Sequence, residues 1–180
     1  MGDIIIGKII NTTIVSWKVE TNSAFTATLH ASTVLDRSFN PIKDDIRKQF
    51  DIGDLLAAEI IAFNRTRDPV LSIKGRGLGK LRGGRIIEIL PAKVPRLIGR
   101  KGSMINLIKS ETDSKIIIGQ NGLVWVSGKD IETELLIEKL IRKIEKEAHT
   151  SGLTDRINEI LKEELKKSED LKTDEDLKND

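Results

Sequence analysis

The chain contains no cysteine. That removes two classes at once, since it can form no disulfide framework and has no thiolate to hold a metal. Tyrosine is also missing, and two tryptophans with four phenylalanines bring the aromatics to only 3%. No apolar run approaches the ~20 residues needed to span a bilayer. The N-terminal Met1-Gly2-Asp3-Ile4-Ile5-Ile6-Gly7-Lys8 places charges too early for a signal peptide. Together these absences predict a soluble, cytoplasmic protein with no membrane contact.

What is abundant is charge. Of the 180 residues 32% are charged, yet the formal net charge is only +2. Between Arg65 and Lys109 twelve cations face two acids, Asp68 and Glu88, a local surplus of +10. A surplus that concentrated predicts a polyanionic partner. Inside it lies Leu97-Ile98-Gly99-Arg100-Lys101-Gly102-Ser103-Met104-Ile105. Glycines lack a Cβ, so the backbone between Gly99 and Gly102 can turn sharply against another backbone. Ser103 is expected to cap the helix that follows, whose first amides point toward an anion. Arg100 and Lys101 add positive charge at that spot. The combination describes a seat for a sugar-phosphate chain, as in the GxxG loop of KH domains.

In chain order, Ile4 to Ile10, Thr12 to Val19 and Ala24 to Leu29 read as strands, rich in β-branched residues. Residues 32–49 read as irregular, with a turn at Asn40-Pro41 and a short helix from Asp44 to Gln49. Asp51-Ile52-Gly53-Asp54 turns into a strand from Leu55 to Phe63, and Val70 to Ile73 is the last short one. Five strands with a helical insert before the fourth match a small OB-type barrel. Trp17 is expected in its core. Residues 74–84, glycine and cations without an acid, read as a flexible connector whose charges stay open to phosphates.

Beyond it, Ile86 to Leu90 is a strand stopped by Pro91, and a helical turn from Val94 leads into the GxxG loop. Ser103 to Ser110 reads as a helix burying Met104, Ile105 and Ile108. Two strands, Ile116 to Ile118 and Leu123 to Val126, flank Asn121-Gly122, a strong hairpin signal because both residues tolerate positive φ. Asp130 is placed to cap a helix with Leu136, Ile137, Leu140, Ile141 and Ile144 on one face. Gly152 ends that helix and Thr154 caps the next, with Ile157, Ile160, Leu161 and Leu165 along one side. After Lys167 the acidic run to Asp180 has too few apolar residues to fold. The fold class is α+β: an OB-type barrel (1–73), a basic linker (74–84), a type I KH-like domain (85–150), a C-terminal helix (151–167) and a disordered acidic tail (168–180).

The barrel's Gly7-Lys8-Ile9, His30-Ala31-Ser32, Phe50-Asp51-Ile52-Gly53-Asp54 and Val70-Leu71-Ser72 resemble the RNA-binding domain named after ribosomal protein S-one. Where many such domains carry stacking aromatics on strand two, this chain has Val15 and Lys18, so contact there is expected to be electrostatic. A barrel of this type followed by a KH domain resembles the RNA-binding cap subunits of the archaeal exosome. The stretches that carry the likeness are Asp68 to Gly75, Pro91 to Gly99, Gly122 to Val126 and Gly152 to Ile157.

The resemblance implies three cap protomers on a hexameric ring of RNase-PH-type subunits, recruiting single-stranded RNA and threading it to the ring's phosphorolytic sites. Family members carry a further, largely β N-terminal domain, whereas this chain begins at the barrel. Ring attachment is therefore expected to rest more on the barrel and KH domain.

The residues expected to meet RNA are Gly99, Arg100, Lys101 and Gly102 for phosphates, and Ile98 and Ile105 for bases. Lys18, His30, Lys74, Arg76, Lys80 and Arg82 are expected to join them from the barrel and connector. No catalytic residue, metal or cofactor is expected. His30 and His149 are far apart, and the carboxylates Asp44, Asp45, Asp51 and Asp54 suit turn and helix caps better than magnesium. A nuclease is thus disfavoured. The remaining alternative is a free-standing RNA-binding translation or chaperone factor, which shares the modules but not the ring.

Overall fold

A computed structural model describes residues 2–35, 39–40, 45–64, 67–150 and 152–176, the last twelve of these by backbone alone. Pro41, Asp44, Arg65 and the final residues of the acidic run lie outside the described residues, and Leu165 lies where only backbone is described. Compactness divides the chain into two units, Met1–Val94 with Ile117–Trp125, and Pro95–Ile116 with Val126–Asp180.

The first unit is built on β1 (Ile4–Thr12), β2 (Ser16–Glu20), β3 (Thr26–His30), β4 (Leu55–Asn64) and β5 (Arg67–Ser72). Strand order β1-β2-β3-β5-β4, with β1 pairing back onto β4, closes a five-stranded barrel. Among the described residues of the barrel, β3 and β5 pair in parallel and the other pairings are antiparallel. Closure follows from period-two alternation. Ile5 and Ile9, Trp17 and Val19, Ala27 and Leu29, and Leu56 and Ala58 all enter one buried cluster. Trp17 is fully buried as expected; its Nε1 donates to the Phe50 carbonyl at 3.1 Å, and the two rings meet edge to face at 5.4 Å. Between β3 and β4 the described residues include α1 (Ala31–Val34) and a 3-10 turn at Ile46–Lys48, capped by Asp45.

The expected connector is partly regular. Residues Gly79–Leu81 form β6, antiparallel to Leu55–Ala57 of β4, on the edge that β5 leaves free. Glycines flank it, but β4 is ten residues long and β5 covers only its second half, so an unpaired edge remains for a short strand to satisfy.

The KH part follows as β7 (Arg85–Glu88), α2 (Val94–Ile98), α3 (Ser103–Thr112), β8 (Lys115–Ile118), β9 (Leu123–Ser127) and α4 (Ile131–Lys146), with a three-stranded sheet in the order β7-β9-β8. Asp130 caps α4 as expected, accepting from Thr133 N at 2.8 Å, and Ile137, Leu140, Ile141 and Ile144 are buried. At the β8–β9 turn only Gly122 takes positive φ (84°); Asn121 does not. Its side chain is used instead. Nδ2 donates to the carbonyls of Ile6 (2.7 Å) and Thr21 (2.8 Å), which places this hairpin tip in the first unit.

α4 stops at Lys146, well before Gly152, because the chain turns where Thr150 N and Oγ1 both donate to the Glu147 carbonyl at 2.9 Å. The last helix, α5, runs Leu153–Asp176, past the expected end at 167, and buries Leu153, Ile157 and Leu161. Thr154 stands inside its first turn rather than capping it. Among the described residues no helix is long and apolar enough to cross a membrane.

Candidate nucleic-acid interface

Local geometry at the Gly-x-x-Gly loop is dictated by its glycines. α2 ends at Ile98, and Gly99 follows at φ 76°, ψ 174°, a region open essentially to glycine alone. A Cβ there would stand 2.7 Å from Met104 N and 2.8 Å from Met104 Cβ, so the loop lies directly against the first turn of α3. Lys101 (φ 53°) and Gly102 (φ 79°) are left-handed as well, which makes Gly102 the residue flanking α3. Ser103 therefore falls inside the helix at φ −57°, and no side chain caps it, contrary to the expected role. The first amide of α3 is taken up by the loop itself, Ser103 N donating to the Arg100 carbonyl.

Arg100 and Lys101 are exposed, and neither is engaged by a neighbour among the described residues. Ile98 is half-buried, while Ile105 is 7% exposed and turns into the core with Met104 and Ile108. Of the two expected base contacts, only Ile98 offers appreciable surface.

The remaining expected RNA-contacting residues belong to the other compact unit. Lys18 and His30 stand on the same outward face of β2 and β3, since Trp17, Val19 and Leu29 take the inward positions. His30 is exposed. Lys18 is half-engaged: its Nζ lies 2.6 Å from Asp68 Oδ2 and 3.0 Å from Thr28 Oγ1. Lys74 and Arg76 lie on the way to β6, and both are exposed. Lys80, on β6, is ion-paired with Asp54, and Arg82 is exposed nearby.

Asp54 also accepts from Asp51 N at 2.7 Å. Burial alone would raise its pKa, but the Asp51 amide, Lys80 and Arg82 together hold it below the usual carboxylate value. A depressed folded-state pKa contributes stability above the unfolded value and loses it as pH falls through the folded one. Asp54→Asn is therefore expected to lower the melting temperature at pH 7, and the gap to the parent should close below about pH 3.8. Thermal scans from pH 7 to 3 check this; a gap independent of pH would refute it. The other expected carboxylates serve local roles too: Asp45 caps a turn and Asp51 accepts from Ile52 N at 3.0 Å.

Sequence reasoning missed two things here. The acid partners of Lys18 and Lys80 sit 50 and 26 residues away and were invisible without the barrel register. Arg96, part of the basic surplus, is turned inward.

A family model described as a KH domain matches residues 84–132. Over 165 residues the chain is 42% identical to the exosome complex component Rrp4 of Thermofilum pendens, covering 92% of this chain and 70% of that protein. It is 45% identical over 168 residues to the Rrp4 of Thermococcus kodakarensis, covering 92% of this chain but only 65% of the relative's length. A crystal structure of a protein assigned as an exosome complex RNA-binding protein superposes with a TM-score of 0.82 at 41% identity, covering 92% of this chain and 94% of that one.

Proposed function

Since the chain belongs to the family of Rrp4 exosome components, we propose that it is a non-catalytic RNA-binding subunit of an exosome cap, with the GxxG loop as its phosphate seat. Single-stranded RNA would lay its backbone over Gly99–Gly102, against the start of α3, with Arg100 and Lys101 neutralising phosphates. Ile98 supplies an apolar edge for a base. Lys18, His30, Lys74, Arg76, Lys80 and Arg82 form a second, barrel-borne contact zone. Lys18 and Lys80 contribute least of these because Asp68 and Asp54 already hold them.

The KH module is taken to span 85–150. The RNA is handed to a ring of RNase-PH-type subunits for 3′–5′ phosphorolysis, three such protomers serving one ring. The observation that carries this reading is the pair of exposed, unengaged cations between two glycines whose backbone abuts a helix start.

Binding should be governed by salt. Contact with about five phosphates gives a slope of roughly −3.5 for log affinity against log salt on single strands. A titration of short single-stranded RNA across salt concentrations measures it, and a flat line defeats the reading. Co-expression with ring subunits separates the cap role from a free-standing translation or chaperone factor. A stable assembly by native mass measurement supports the former, and a lone chain on RNA supports the latter.

A further inference from the structure

The cations around the loop do not all face outward. Arg96, on α2 and three residues before Gly99, is partly buried, and its Nη2 donates to the Thr150 carbonyl in the turn joining α4 to α5. Its Nε is shut from solvent and meets no acceptor among the described residues. That turn is itself held tightly. Arg156 Nη2 donates to Thr150 Oγ1 at 2.6 Å, and its Nη1 lies 3.1 Å from Glu147 Oε2. Lys143 Nζ lies 2.8 Å from Glu147 Oε1, a bond that leads in keeping the Glu147 carboxyl below its usual range.

α2 is seated by the buried Leu97 and gains a polar tie through Arg96. It has five residues, too few to hold helical geometry by its own hydrogen bonds. Yet it launches the loop: Gly99 N donates to the Pro95 carbonyl at 3.0 Å, and Gly102 N donates to the Gly99 carbonyl at 3.2 Å. Whatever fixes α2 fixes the first glycine. On its far side the loop rests on α3, through the Gly99–Met104 approach.

We propose that Arg96 is a positioning residue for the RNA loop, tying α2 to the α4–α5 turn, and that it makes no phosphate contact of its own. The inference rests on the reading of the loop as the RNA seat. The local cations then divide into two roles, with Arg100 and Lys101 binding RNA and Arg96 holding the frame in which they bind.

The test uses the full chain and a short single-stranded RNA of mixed sequence. Arg96→Met keeps the stem and removes the donors; Arg96→Lys keeps the charge and one donor group. With Arg96→Met, affinity should fall about tenfold while the log–log salt slope stays at the parent's value. Arg96→Lys should recover only part of the loss. A slope flatter by ~0.7, the mark of one lost phosphate contact, would overturn the proposal. So would undiminished affinity in the methionine variant, or full recovery with lysine.

Hydrogen exchange at the amides of Gly99 and Gly102 reads the same brace without RNA. Faster exchange in Arg96→Met supports it, and unchanged rates refute it. Should the parent chain bind no RNA, the loop's assignment fails, and the exchange result still decides whether Arg96 holds the loop.

Discussion

Reversing both loop charges, Arg100→Asp together with Lys101→Asp, is expected to lower affinity for single-stranded RNA by more than two orders of magnitude while leaving the melting temperature within a few degrees. At about 0.1 M salt each phosphate neutralised on a single strand contributes a factor near 5. Losing two contacts gives roughly 25-fold, and replacing attraction by repulsion carries the loss past 10². The slope of log affinity against log salt should flatten by about 1.4. Stability should hold because both side chains are exposed and unengaged among the described residues. Aspartate also tolerates the left-handed backbone that Lys101 adopts at φ 53°. Binding isotherms at several salt concentrations, alongside thermal scans, provide the check. Retained affinity would remove the loop from the RNA path.

The parts of this fold that could be read from sequence are those with local causes. Asp130 announces α4 because a carboxylate before an apolar 3.6-residue stripe satisfies the first free amides, and the structure shows that bond. The barrel strands were legible from their β-branched residues, and Trp17 takes the core position expected of it. The GxxG loop was legible because its need for left-handed backbone is written in residue type: Gly99 and Gly102 both take positive φ.

What escaped has non-local causes or competing local ones. β6 is three residues long and exists because β4 has an unpaired stretch of edge, a fact of register. α5 continues through Asp176 although its last residues have almost no apolar character. Between Ser168 and Asp176, Asp, Ser and Thr outnumber Leu, Lys and Glu, so neither apolar burial nor intrinsic propensity accounts for this extension. Ser103 has the right chemistry for a cap, but two left-handed residues before it move the helix start back to Gly102. Charge counts also conceal engagement. Lys18, Lys80 and Arg96 all contribute to a basic composition, yet Asp68, Asp54 and the Thr150 carbonyl respectively occupy them.

The two glycines of the loop are not equivalent, and substituting each by alanine should separate them. At Gly99 the backbone sits at φ 76°, ψ 174°, and a new Cβ would meet the backbone nitrogen and Cβ of Met104, which is only 2% exposed and cannot retreat. Strain and overpacking add, so Gly99→Ala is expected to cost about 3 kcal/mol or more. That corresponds to roughly 6–12 °C in melting temperature for a chain of this size. At Gly102 the backbone lies in the milder left-handed helical region (φ 79°, ψ 11°), and the nearest atom to a new Cβ is Asn106 Nδ2 at 3.2 Å, the end of an exposed side chain free to swing aside. Gly102→Ala is therefore expected to cost only about 1–2 kcal/mol. RNA affinity should follow the same order, because moving Gly99 displaces the first turn of α3, whereas moving Asn106 does not. Equal destabilisation by the two alanines, or stronger loss of RNA binding at Gly102, would mean that the close approach of loop to helix is not what shapes the seat.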